Sequence, residues 1–117
     1  MVAVVTITQR SEFVELTKTG ARWVTPAFVV QYLKNDVDGV RVGFTATKKI
    51  GGAVQRNRAK RRLRGLFDEV VRLNPDFPTV NARLVLIARQ DMLARDFTQL
   101  QKDLWWALKK LRVVTHA

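Results

Sequence analysis

Between Arg41 and Leu73 the spacing of apolar residues changes from every second position to every third or fourth, and the change occurs across a stretch without a single acid. Arg41–Thr47 (RVGFTAT) sets Val42, Phe44 and Ala46 on one side of an extended segment and Arg41, Gly43, Thr45 and Thr47 on the other. From about Gln55 to Leu73, Ala59, Leu63, Leu66 or Phe67 and Val70 recur at the spacing of one helix face. A half-buried strand therefore runs almost directly into an amphipathic helix. Neither an all-helical nor an all-strand chain accommodates that junction.

Other segments fill in the order. Ser11 is positioned to cap a short first helix carrying Phe13, Val14 and Leu16, with Gly20 as its stop signal. Trp23–Val24 and Ala27–Lys34 read as strands, separated from the next strand by the turn residues Asn35–Gly39 (NDVDG). Asn74–Thr79 (NPDFPT) breaks the chain and Leu84–Ala88 (LVLIA) reads as a buried strand. Asp96 with Gln99 resembles a capping box for a last helix whose apolar face is Phe97, Leu100, Leu104, Leu108 and Leu111. The expected order is α, several strands, α, β, α.

Length and composition bound the rest. A chain of 117 residues with 47% hydrophobic content buries one ordinary core, so a single domain spanning 1–117 is expected, with its core at about 10–112. Met1–Thr8 is apolar but lacks preceding basic residues and a small-residue cleavage site, and no apolar run approaches the roughly 20 residues of a membrane span. The expectation is a soluble, unprocessed protein without a membrane partner. Zero cysteines exclude disulfides, thiolate zinc sites and cysteine nucleophiles, which is compatible with the cytoplasm.

Charge narrows the partner. Lys48–Arg64 (KKIGGAVQRNRAKRRLR) holds eight of the twenty-one Lys and Arg residues, leaving thirteen against ten acids elsewhere. Most of the +11 net charge thus belongs to one segment, as a polyanion-binding protein requires. At about 100° per residue, Asn57, Arg58, Arg61, Arg62 and Arg64 spread over the arc opposite the apolar stripe. Arg56 and Lys60 fall nearer the stripe, on the flank of the helix start, where they could serve a groove beside it. Arginine forks match phosphate oxygens bidentately. Gly51 and Gly52 permit close backbone approach, and the free N–H groups of the helix start add an anion site. Asn57 offers both a donor and an acceptor, suiting a base edge or a sugar hydroxyl. The alternative is a solvated helix face, against which the single-sign density argues.

The sequence offers no hydrolytic centre of its own. Phosphodiester hydrolysis usually needs carboxylates gathered around metal ions. Here Asp36 and Asp38 sit in a turn, Asp68 and Glu69 point apart on a helix, and His116 stands alone. Phe13 beside Leu16 reads first as core. Trp105 and Trp106, on a leucine-striped helix, read as cover for the core edge, and Trp23 is ambiguous.

Lys48-Lys49, Gly51, Ala53-Val54, Arg56-Asn57-Arg58 and Lys60-Arg61 together resemble the signature of the bacterial ribonuclease P protein subunit. The likeness runs from about Arg10 to Leu111, through Phe13, Gly20, Phe28-Val29 and Leu84–Arg89. It implies an α+β fold, a two-layer α/β sandwich of order αβββαβα with a left-handed βαβ crossover, of the ribosomal protein S5 domain 2-like type. It further implies a catalytic RNA partner and a precursor tRNA substrate whose 5′ leader the holoenzyme removes. The RNA would perform the hydrolysis with Mg2+ that it mainly binds itself. Under this resemblance Lys48, Lys49, Arg56, Asn57, Arg58, Lys60, Arg61, Arg62 and Arg64 contact RNA. A cleft between the first helix and the sheet, lined by Phe13 and Phe28, holds the leader. Three positions depart from the family pattern: Thr17 replaces a second aromatic, Gln31 a tyrosine with Tyr32 on the opposite strand face, and Gly65 a glutamate. Two rival classes are a ribosomal structural protein and a DNA-binding protein. The short, non-basic termini weigh against the first, and the strand preceding the basic helix, in place of a helix-turn-helix, weighs against the second.

Overall fold

The parity of the strands decides which face of the sheet receives the helices. The computed structural model describes residues 4–6, 21–34, 40–74 and 82–111. They form β1 (Val4–Thr6), β2 (Ala21–Val24), β3 (Phe28–Lys34), β4 (Val40–Ala46), α1 (Ala53–Leu73), β5 (Ala82–Ala88) and α2 (Phe97–Lys110), with 3-10 turns at Lys48–Ile50 and Gln90–Leu93. The sheet order is β1-β4-β5-β3-β2. β1 and β5 run parallel to β4, while β3 runs antiparallel to both β5 and β2. Adjacent parallel strands cannot be joined by a hairpin, and α1 forms the crossover between β4 and β5.

Register aligns Val42 with Leu84 and Phe44 with Leu86 across β4 and β5, and Val30 with Leu86 and Phe28 with Ala88 across β3 and β5. These residues share one face, and α1 and α2 cover it. Ala59, Leu63, Leu66, Phe67 and Val70 of α1 and Leu100, Leu104, Ala107 and Leu108 of α2 are buried against them. Phe44 and Phe67 meet edge to face at 5.8 Å and 71°, joining sheet and helix where the basic segment begins. The opposite face has its own smaller apolar group, in which Leu33 and Ile87 pack on buried Val85.

The end of β5 is locked to the β2–β3 turn. Thr25 Oγ1 donates to the Phe28 carbonyl at 2.9 Å and accepts from the Phe28 N–H at 3.0 Å. Arg89 then donates from Nη1 to the Thr25 carbonyl at 2.7 Å and from its backbone N–H to Ala27 at 2.8 Å. These bonds satisfy turn groups that the ladders leave unpaired.

Three local expectations change. β1 is an additional edge strand, paired through Val4 with Val40; three residues are too few for an alternation to show. The Asp96 side chain accepts from the Gln99 N–H at 3.2 Å, but Gln99 Nε2 turns to Asp103 Oδ1 at 3.1 Å, so the cap is one-sided. Phe97 is 36% exposed and does not close the apolar face of α2. The expected first helix with Ser11, Phe13 and Thr17, and the turns Asn35–Gly39 and Pro75–Thr79, lie outside the described residues.

Candidate nucleic-acid interface

The approach to α1 is built to leave its positive end open. Lys48–Ile50 makes one 3-10 turn, and Gly51 closes it with its N–H on the Lys48 carbonyl at 3.3 Å. Gly51 does so at φ 140, a backbone conformation that residues with a Cβ rarely adopt. Gly52 follows as N-cap, with no side chain to bond the first-turn N–H groups and no acid in that turn. The helix dipole and these orphan donors therefore face outward together.

Around that end the side chains sort by depth. Lys48, Lys49, Asn57, Arg58, Arg61 and Arg64 are exposed, whereas Arg56 and Lys60 are half-buried. Arg56, Asn57 and Lys60 line a groove of ≈ 230 Å³ with Thr45, Ala46 and Ala53, between the end of β4 and the first turns of α1. The flank position read from the helical spacing is thus a wall of that groove. Among the described residues Arg56 Nε is buried without a hydrogen-bond partner. A second concavity of ≈ 660 Å³ lies at the other side of the 3-10 turn, lined by Pro26, Thr47, Lys48, Lys49, Arg89, Gln90 and Asp91. Gln90 Nε2 holds the turn by donating to the Lys49 carbonyl at 3.0 Å.

Two expected site residues are placed otherwise. Arg62 does not point freely outward: Nη2 donates to the Arg95 carbonyl at 2.6 Å and the guanidinium lies 5.8 Å from the Phe97 ring centre. It straps α1 to the segment before α2. Phe28 is 0% exposed on the helix-covered face, so it is core and not the wall of an open cleft. The strand parity does put Gln31 and Tyr32 on opposite faces, with Tyr32 packed against the main core and Gln31 buried on the other side. Arg64, although exposed, rests its guanidinium 5.3 Å from the Phe44 ring centre.

The reading of the two tryptophans also divides. Trp105 packs against the core, but Trp106 is 50% exposed. The helical spacing carried that signal, since Trp106 falls opposite Leu104 and Leu108. Arg89 was missed altogether; its part in closing the β2–β3 turn depends on a contact distant in sequence.

Among the described residues no three of the acidic or histidine side chains come close enough to hold a metal ion. Glu69 is paired with Arg72, whose hydrogen bond and charge hold its carboxyl below the usual carboxylate range. Asp103 is taken by Arg95 at 2.8 Å.

An open helix end, two cation-lined grooves and an exposed arginine arc on an α+β scaffold define a protein that binds a phosphate polymer. The ribonuclease P family model matches residues 1–112. The ribonuclease P protein component of Gluconacetobacter diazotrophicus is 41% identical over 106 residues, covering 90% of this chain and 89% of that protein. That of Ruegeria pomeroyi is 44% identical over 108 residues, covering 88% and 82%. The solved RNase P protein of Staphylococcus aureus superimposes with a TM-score of 0.74 at 29% identity, covering 92% of this chain and 95% of that one. This chain belongs to the ribonuclease P protein family, the RNA-binding components of an endoribonuclease that removes precursor tRNA leaders. Its partner is accordingly an RNA subunit.

Proposed function

We propose that the start of α1 and its two grooves grip the catalytic RNA, while the chain also holds the single-stranded 5′ leader of precursor tRNA. The observation that carries this reading is the groove between β4 and α1, where two cations and one amide line a concavity at an uncapped helix end. Arg56 and Lys60 would bind phosphate oxygens at its walls, Asn57 would read a sugar or base edge, and Arg58, Arg61 and Arg64 would extend the contact along the helix. Lys48 and Lys49 would serve the second concavity. Sequence-tolerant stacking on Phe13 would suit a leader of varied sequence.

The chemistry is assigned to the RNA. Magnesium held by the RNA would supply the activated water and the charge stabilisation for hydrolysis. The protein would add fixed positive charge beside crowded phosphates, so that substrate docks productively with fewer free cations. Among the described residues Glu69 and Asp103 are held by Arg72 and Arg95, and no three acidic side chains gather at one point. Among the described residues no helix is long and apolar enough to cross a membrane, and the cytoplasm, with RNA and not DNA as partner, is the proposed setting.

The test is cleavage of a precursor tRNA by a bacterial ribonuclease P RNA at low magnesium, with and without this protein. Stimulated cleavage at the correct 5′ end supports the proposal. RNA binding without stimulation would move the chain to a purely structural RNA-binding role.

A further inference from the structure

The solvent-facing arc of α2 carries one large aromatic that burial does not explain. The core seam of that helix is made by Leu100, Leu104, Ala107 and Leu108, and Trp105 covers its edge. Trp106 lies outside it, half exposed, with Lys109 Nζ 5.2 Å and Lys110 Nζ 4.6 Å from its ring centre. Lys102, one turn earlier on the same arc, is exposed as well. The nearest acid on the helix, Asp103, is already engaged by Arg95 and Gln99. The lysines also suit the C-terminal end of the helix dipole, which accounts for their sign but not for the tryptophan between them.

We infer that Trp106, with Lys102, Lys109 and Lys110, is a second contact site for the RNA subunit, in which the indole stacks on an unpaired base and the lysines meet the flanking phosphates. The inference rests on the reading of the chain as an RNA-binding subunit. Charge selects this occupant: a cationic rim around an aromatic platform is complementary to single-stranded RNA and repels a second copy of a chain of net charge +11. Position agrees, because α1 and α2 cover the same face of the sheet, so their outer arcs open on the same side. Arg62 ties α1 to the start of α2 through the Arg95 carbonyl and Phe97, and Trp106 lies nine residues past Phe97, about 13 Å along the helix.

The experiment measures the dissociation constant of full-length protein for a bacterial ribonuclease P RNA across a salt series, with Trp106→Leu, Trp106→Phe and the pair Lys109→Ala/Lys110→Ala. Thermal melting of each variant checks the fold. Trp106→Leu should melt close to the unaltered protein and bind roughly five-fold or more weakly, as loss of one stacked base predicts, with its salt slope kept. Trp106→Phe should recover part of the affinity. The lysine pair should lower the salt slope by roughly 1.4, about 0.7 for each phosphate contact to single-stranded RNA. Unchanged affinity in Trp106→Leu, with the unaltered protein binding tightly, overturns this site and leaves the subunit reading standing. Failure of the unaltered protein to bind the RNA overturns both. Concentration-dependent self-association of the free protein that Trp106→Leu abolishes would assign the patch to contact between copies and overturn the RNA site.

Discussion

The Arg62 guanidinium donates to the Arg95 carbonyl across thirty-three positions of sequence, and this bond separates one arginine from the run in which it is written. Arg62 Nη2 reaches that oxygen at 2.6 Å and the same group covers Phe97. A hydrogen bond from a charged donor to a part-buried acceptor contributes about 1.5–3 kcal/mol. Arg62→Ala should therefore lower the melting temperature by several degrees, whereas Arg58→Ala should leave it nearly unchanged. Comparing the two melting curves decides it, and equal curves would return Arg62 to the RNA-facing set.

Binding should show the converse. Arg58 and Arg61 are exposed and, among the described residues, have no ion pair of the kind that occupies Arg72 and Arg95. The double variant Arg58→Ala/Arg61→Ala should weaken RNA binding and reduce the slope of log K against log salt by roughly 0.7–0.9 for each lost phosphate contact. A filter-binding series in salt measures this, and an unchanged slope would show that neither residue meets a phosphate.

Gly65 lies exposed in the middle of α1, and a Cβ there would meet nothing within 4 Å. Glycine in a helix interior costs about 0.5–1 kcal/mol relative to alanine, mainly through chain entropy. Gly65→Ala should raise the melting temperature by a few degrees, since space and backbone both permit it. A lower melting temperature would require a conformational role for this glycine.

Gly51 should behave in the opposite way. Its Cβ would find only ordinary contacts with Gln55 at 3.5 Å, so space is not the obstacle; φ 140 is. Gly51→Ala should destabilise by about 1–3 kcal/mol, the scale of a side chain forced into this glycine-only backbone region. It should also weaken RNA binding by tilting the uncapped helix start. Urea unfolding and binding at one salt concentration would separate these two effects.

What could be read from the sequence follows from what local periodicity carries. The passage from RVGFTAT to the Ala59–Val70 stripe located β4, α1 and the open helix start, because each depends on near neighbours. The same spacing put Arg56 and Lys60 beside a groove. Direction on a helix does not reveal what stands in that direction, so Arg62 was grouped with arginines that lack its partner in the segment before α2. The resemblance put Phe28 in a cleft, and parity offered no check, because the three consecutive apolar residues Phe28-Val29-Val30 leave the inward face undetermined until register with β5 fixes it. Trp106 shows the reverse case, in which the spacing was informative and the leucine stripe obscured it.

Phe13 and Phe28, grouped in one cleft by the family resemblance, should therefore part under mutation. Phe28 is fully buried among Val30, Leu86 and the helices, and truncating such a ring costs about 3–5 kcal/mol. Phe28→Ala should unfold at much lower urea, and any loss of binding should fall equally on precursor and mature tRNA. Phe13 has the role of leader contact in the proposed function. Phe13→Ala should raise the dissociation constant of the holoenzyme for precursor tRNA and leave that for mature tRNA unchanged, because only the precursor carries a leader to stack. Paired titrations of the two tRNAs against each variant holoenzyme test the assignment. Equal weakening of both tRNAs by Phe13→Ala would remove Phe13 from the leader contact and make it, like Phe28, a residue of the core.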